Sequence, residues 1–136
     1  MIKFFSNTSF QLANEDGISL WLLEVINNEE KTLKEISFNF CNDSELLKVN
    51  KEFLNHDTLT DIITFDYSDP TGLCGEVLIS TERVKENSVK FSQSFDAELK
   101  RVMVHGVLHL CGFKDKTNVD KLMMTTKEDF YLARFH

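Results

Sequence analysis

Apolar residues along this chain fall into four short patterns that are typical of β-strands. They lie at Ile2 to Phe5, Glu35 to Cys41, Asp61 to Tyr67 and Gly75 to Ser80, where apolar or alternating runs include many β-branched and aromatic residues. The Ser-Asp-Pro-Thr-Gly sequence at 68–72 is typical of a turn. The last two strands are therefore predicted to form an antiparallel hairpin.

Helical periodicity predicts three helices that alternate with these strands. In the first, apolar residues recur at intervals of three and four: Ile18, Trp21, Leu22, Val25 and Ile26. The second follows Asn42 or Asp43 as its cap and presents one face, made of Leu46, Leu47, Asn50 and Phe53. The third begins at a Thr81 cap and continues to about Phe91.

Two further helices are predicted toward the C-terminus. One follows Ser94 as its cap and spans Phe95 to Cys111, and the other opens at Thr117 or Asn118 and continues to about Phe135. The core residues expected in the last helix are Leu122, Met123, Phe130 and Leu132.

The resulting order, β-α-β-α-β-β-α-α-α, predicts the α+β fold class. We expect a four-stranded mixed sheet with one antiparallel edge and with helices packed on it. A chain of 136 residues is long enough for one core, so residues 1–136 are predicted to form a single domain. The twelve Phe residues indicate an aromatic core.

Composition and charge limit the cellular compartment and the classes of partner that we expect for this protein. Cys41, Cys74 and Cys111 are odd in number and widely spaced, which favours reduced thiols and a cytoplasmic location. No apolar run approaches the length of a membrane span, about 20 residues, so no membrane partner is expected. The net charge of −7 counts against broad non-specific nucleic-acid binding, although a local basic patch remains compatible with RNA.

A histidine pair provides the strongest chemical signal. His105 and His109 lie four residues apart, so on a helix they share one face and can converge on one metal ion. Gly112 can end the helix in a left-handed conformation, and the chain can then return Asp115 as a third ligand. Three protein ligands leave one position open, which is typical of catalytic zinc sites.

The helix around the histidines is otherwise largely apolar. At helical spacing, the two histidines share a narrow polar stripe with Ser94, Glu98 and Arg101. Cys111 lies nearly opposite this stripe and is predicted to be a core residue. The less specific alternative is a pair of ordinary surface or capped histidines. The glycine turn and the carboxylate favour a metal site over that alternative.

Three motifs follow one another along the chain and provide a further signal. The first is His-Gly-Val-Leu-His-Leu-Cys-Gly-Phe at 105–113. The second joins Asn-Lys-Glu-Phe at 50–53 to Thr-Asp-Ile-Ile-Thr-Phe at 60–65, and the third is Gly-Glu-Val-Leu-Ile-Ser at 75–80. Together these motifs resemble those of the YbeY family of bacterial endoribonucleases, and the resemblance extends from about residue 36 onward.

The resemblance implies a metal-dependent endoribonuclease that acts on single-stranded RNA. It implies a role in ribosomal RNA maturation, at the 3′ end of the small-subunit RNA, and in ribosome quality control. The expected cofactor is one Zn²⁺ per chain, held by His105, His109 and Asp115. The expected partners are ribosomal RNA and the small ribosomal subunit, and DNA is not expected. Neither the nucleophile nor the general base follows from the sequence.

The chain departs from the commonest family pattern at the third ligand and near the RNA site. Asp115 stands where a third histidine is usual, and a carboxylate makes the metal a weaker Lewis acid. Lys114 and Lys116 can offset that charge and contact phosphate, or they are simply solvated loop lysines. Leu54 replaces an arginine thought to act on RNA in many members, and His56 can retain a positive or hydrogen-bonding group nearby.

Two acidic residues at strand ends are candidates for catalysis. Asp61 and Glu76 can point into a cleft and serve in proton transfer or in orienting the ligands. The alternative for both is helix capping, solvation of a sheet edge or a structural hydrogen bond.

Two rival functions remain open from the residues themselves. A metallopeptidase shares the histidine spacing, but that chemistry places a Glu directly after the first histidine, where this chain has Gly106. The second rival is a non-catalytic module that binds RNA or the ribosome and uses the metal only to pin its C-terminal helices. Metal removal distinguishes this module from an enzyme, because loss of a structural ion lowers the folding stability, whereas loss of a catalytic ion mainly lowers activity.

Overall fold

The computed structural model describes residues 1–135, and its element order matches the predicted one. The strands are β1 (Ile2–Ser6), β2 (Leu33–Cys41), β3 (Ile62–Asp66) and β4 (Leu73–Ser80). The helices are α1 (Glu15–Asn28), α2 (Asp43–Leu54), α3 (Thr81–Lys90), α4 (Phe95–Leu110) and α5 (Asn118–Leu132). The predicted α+β class is confirmed.

The four strands form one mixed sheet in the order β1-β2-β4-β3. β1 and β4 both pair with β2 in parallel, while β3 pairs with β4 in antiparallel register, with Thr64 opposite Val77. The predicted antiparallel edge is therefore correct, and β3 is that edge strand. β4 begins two residues earlier than predicted because Leu73 already pairs with Leu33.

The sheet carries different helices on its two faces. Successive side chains of a strand point to opposite faces. One face joins α1, α4 and α5 in the main core, which includes Phe38, Val77 and Ile79. The other face packs against α2 in a smaller cluster that contains Leu46 and Ile63. The side chains that share a face with Val77 therefore lie next to α4.

Most helix boundaries agree with their predicted caps. Asn42, Ser94 and Thr117 cap α2, α4 and α5 by accepting backbone N–H bonds. The prediction of Thr81 as the cap of α3 is wrong, because Ser80 is still extended and its hydroxyl accepts from the N–H of Arg83 at 3.2 Å. α5 ends at Leu132 and not near Phe135.

The predicted core face of α5 is also wrong. Leu122, Met123 and Phe130 are 70, 49 and 43% exposed, and Leu132 is half-buried. The buried face consists of Met124, Glu128 and Tyr131. In α2, Phe53 is exposed although Leu46 and Asn50 are buried as predicted. Within residues 1–135, none of the helices combines the length and the apolar character needed to cross a membrane.

Candidate functional site

Close packing of α4 against the sheet positions the histidine stripe. A Cβ built on Gly106 would lie 3.0 Å from Val77 and 3.1 Å from Ile62, which shows how near the helix lies to β3 and β4. His105 precedes this glycine and is half-buried beside the sheet edge, and His109 is exposed one turn later. Both histidines therefore face away from the core, as the stripe predicted.

The turn after α4 has the predicted glycine geometry. Gly112 adopts a φ of 110°, and its N–H bonds to the carbonyl of His109 at 3.0 Å. The N–H of Phe113 bonds to the carbonyl of Leu108 at 3.1 Å, which completes a Schellman motif. The chain then returns so that Oδ2 of Asp115 lies 3.8 Å from Nε2 of His105.

The donor types at this point fit a zinc ion, although the three side chains are not closed around one position. Two ligand atoms on a tetrahedral Zn²⁺ lie about 3.3 Å apart, slightly less than the distance between His105 and Asp115. His109 lines a cavity together with His105 and Asp115. Within residues 1–135, no three His, Cys, Asp or Glu side chains are already grouped to hold a metal. The ligand assignment stays a prediction.

Residues of α5 contact His105 through a hydrogen-bonded network that the sequence did not predict. Nδ1 of His105 lies 2.7 Å from Oε2 of Glu128, and Arg101 donates to Oε1 of Glu128 at 2.9 Å. Arg101 also contacts Asp129 at 2.6 Å. Burial lowers the pKa of His105, but the hydrogen bond and charge of Glu128, together with the charges of Asp115 and Asp61, outweigh that effect and leave the pKa raised.

A cavity of about 390 Å³ opens on one side of His105 and Asp115, and we call it the acidic cavity. Its residues are Thr60, Asp61, Ile62, Glu98, Arg101, Val102, His105, Asp115 and Glu128. Burial raises the pKa of Asp61, and the charge of His105 only partly opposes it. Burial also raises the pKa of Glu98, and the charge of Asp61 adds to that shift. This cavity therefore favours protons or cations.

A second cavity of about 410 Å³ adjoins the first, and we call it the basic cavity. It is lined by Ile62, Thr64, His105, His109, Lys114, Asp115 and Lys116. The two lysines are exposed and appear in none of the salt bridges within residues 1–135. Ile62, His105 and Asp115 line both cavities, which therefore adjoin at these residues, and we call these three residues the shared wall.

Other candidate residues lie away from these cavities. Glu76 pairs with Phe65 in the sheet and alternates with Val77, so it lies on the α2 face, opposite His105. His56 is exposed in the segment after α2 and, like Leu54, lines neither cavity. Cys111 is buried, and burial raises the pKa of its thiol to about 11, which fits the predicted core role.

Comparisons with known proteins give one family over nearly the whole chain. A family model described as endoribonuclease YbeY matches residues 4–136. The endoribonuclease YbeY of Flavobacterium johnsoniae is 50% identical over 136 residues, which cover 100% of this chain and 98% of that protein. The corresponding protein of Christiangramia forsetii is 49% identical over 135 residues, or 99% of this chain and 94% of that one.

A solved structure supports the fold independently. The solution structure of a Thermotoga maritima protein matches with a TM-score of 0.69. The match covers 99% of this chain and 89% of that one at 23% sequence identity. At this identity the likeness concerns the fold alone.

Proposed function

The chain belongs to the YbeY family of endoribonucleases, and we propose that it is a cytoplasmic, Zn²⁺-dependent enzyme that cleaves single-stranded RNA. We further propose that its substrate is ribosomal RNA on the small ribosomal subunit, in 3′ end maturation and in ribosome quality control. The observation that carries the proposal is the approach of His105 to Asp115 at 3.8 Å on the wall between an acidic and a basic cavity.

In this proposal, His105, His109 and Asp115 hold the metal. A Zn²⁺ ion there supplies Lewis-acid chemistry at a phosphate oxygen. Lys114 and Lys116 bind the RNA phosphates, since they are the cations on the basic side of the wall. On the acidic side, Asp61 holds a proton more readily than an ordinary carboxyl, which suits a group that transfers protons.

The packing of Gly106 counts against the metallopeptidase alternative. Peptidase chemistry requires a Glu directly after the first histidine. At Gly106 even a Cβ would meet Val77 at 3.0 Å, so a Glu side chain would be forced into the sheet and could not reach the cavities. Zinc-dependent cleavage of unstructured peptides by the wild-type protein would overturn this assignment.

The central experiment tests strand preference and metal need together. Metal-replete and chelated protein are incubated with matched single- and double-stranded fragments of ribosomal RNA. We expect cleavage of the single strand only, lost on chelation and restored by Zn²⁺, with little change in thermal stability. RNA binding without cleavage, together with a large loss of stability on chelation, would instead indicate a non-catalytic module.

A second experiment tests the ligand set. We expect one Zn²⁺ per chain in the wild type and weaker binding in the Asp115→Ala variant. Asp115→His should still bind zinc, because imidazole is also a zinc ligand. Unchanged zinc content in Asp115→Ala would remove this residue from the ligand set.

A further inference from the structure

The buried face of α5 contains one charged residue among apolar neighbours. Glu128 is only 6% exposed and lies between Met124 and Tyr131 on that face. A buried carboxylate is costly unless both of its oxygens are paired. One oxygen accepts from Arg101 at 2.9 Å, and the other contacts Nδ1 of His105 at 2.7 Å. These two contacts explain why a charged residue can occupy a buried position.

We propose that Glu128 is a positioning residue that fixes the orientation and tautomer of His105. The inference rests on the proposed function in one respect, namely that His105 uses Nε2 as a metal ligand. An ionised carboxylate can only accept hydrogen bonds, so Nδ1 of His105 must carry the hydrogen. The lone pair of the neutral ring then belongs to Nε2, which faces Asp115 and the two cavities.

Arg101 holds the Glu128 carboxylate in the orientation that this role requires. Its guanidinium bridges Glu128 and Asp129 at 2.9 and 2.6 Å. The bond from the guanidinium to Oε1 of Glu128 fixes which carboxylate oxygen faces His105. Arg101 and His105 lie one turn apart on α4, so both ends of the Glu128 carboxylate are held by the same helix face. The geometry is that of a carboxylate orienting a metal-binding imidazole.

A spectroscopic test needs neither metal nor RNA. The ¹⁵N NMR shifts of the His105 ring are recorded in metal-free protein at a pH where imidazole is neutral, with His105→Ala used to assign the signals. We expect the wild type to show hydrogen on Nδ1. Glu128→Ala should shift the population toward the Nε2–H form that free imidazole side chains favour. Glu128→Gln, which keeps one acceptor oxygen and the size of the side chain, should fall between them.

Asp129→Asn provides the matched control. It removes the same charge from α5 but leaves the bond from Arg101 to Glu128 in place, and Asp129 does not contact His105 and has a side chain that is 60% exposed. This variant should leave the tautomer of His105 unchanged. If Glu128→Ala leaves the tautomer unchanged, or if Asp129→Asn shifts it equally, Glu128 does not position His105.

Zinc affinity gives the second readout, measured by competition with a chelating dye. We expect Glu128→Ala to weaken Zn²⁺ binding about 10- to 100-fold and Glu128→Gln to weaken it less. Asp129→Asn should remain within about threefold of the wild type, since its contact is exposed. Equal affinities in all variants would overturn the inference. If even the wild type fails to bind zinc, the proposed function fails, while the NMR result on Glu128 still stands.

Discussion

The acidic and basic cavities share a wall but differ in charge. Four carboxylates face the acidic cavity and Arg101 is its one permanent cation, whereas the basic cavity has two lysines and one carboxylate, Asp115. Since His105 and Asp115 belong to both, the site separates groups that hold protons from groups that can hold phosphate. A protein with a net charge of −7 can thus present positive potential to RNA at one place.

The difference between the two cavities also shows where buried charge lowers the stability of the fold. On the basic side, Lys114 and Lys116 are exposed and keep their solvation. On the acidic side, burial raises the pKa values of Asp61 and Glu98, which means that their charged forms are disfavoured in the folded protein. Carboxyl groups whose charged form is disfavoured are typical of active sites, where residues that serve catalysis often lower the stability of the fold.

Among substitutions that test this comparison, the largest loss of activity is expected at the shared wall. His105→Ala removes a group that belongs to both cavities, so it should reduce cleavage of single-stranded RNA to background and weaken zinc binding. The lysine-dependent part of RNA binding should remain, because the basic cavity keeps both cations. Cleavage assays, elemental analysis and RNA titration measure the three quantities. An active His105→Ala variant would show that the wall is not the catalytic centre.

Much of this arrangement could be predicted from local sequence signals. The spacing of the two histidines and the glycine at 112 anticipated the stripe on α4 and the turn after it, because both depend on backbone geometry close in sequence. The placement of Glu76 was less clear, because Val77 and Leu78 make β4 apolar on both faces; the sequence therefore left Glu76 as a candidate for the cleft, whereas it lies on the α2 face.

The contribution of α5 could not be predicted in the same way. The helix has two stripes that can pack, and periodicity favoured the more apolar one, with Leu122 and Phe130. The other stripe can be buried despite its charge because Glu128 is paired with Arg101 and His105 on α4. That pairing depends on residues more than 20 positions apart, so no local pattern reveals it.

The next effect concerns the acidic cavity alone. Asp61→Asn should lower cleavage about 100-fold, at the low end of what a proton-transfer group contributes, while zinc content stays unchanged. Because burial raises the pKa of Asp61, its protonated form persists to higher pH than in an ordinary carboxyl. If Asp61 donates a proton, wild-type cleavage falls as pH rises through that pKa, and the variant lacks this limb of the profile. The control is Asp66→Asn, an exposed position at the opposite end of β3.

A smaller effect is expected in the basic cavity. Each lysine that neutralises a phosphate on a single strand contributes about −0.7 to the slope of log affinity against log salt. Replacing Lys114 and Lys116 with Ala should flatten that slope by about 1.4 and weaken binding, with zinc content unchanged. The matched control replaces Lys48 and Lys85, which are exposed and line neither cavity. An unchanged slope in the first variant would place the phosphate contacts elsewhere.

The smallest effect is a gain in stability on the acidic side. Glu98 is 5% exposed, and burial first, then the charge of Asp61, raises its pKa above the usual 4.5. A raised pKa means that the carboxyl adds stability only while it is protonated, and that this stability is lost as pH rises through the folded-state pKa. Glu98→Gln removes the charge and keeps the shape. It should therefore stabilise the fold at neutral pH by about 0.5–2 kcal/mol in urea unfolding.

The pH dependence of that gain distinguishes burial of charge from improved packing. The difference between Glu98→Gln and the wild type should shrink as pH falls from the raised pKa toward 4.5 and vanish below it, since Glu98 is then neutral in both folded and unfolded protein. Glu24→Gln, an exposed position on α1, should change stability by less than about 0.5 kcal/mol at any pH. A gain that persists in acid would come from packing, and the contrast in charge between the two cavities would then carry no cost to the fold.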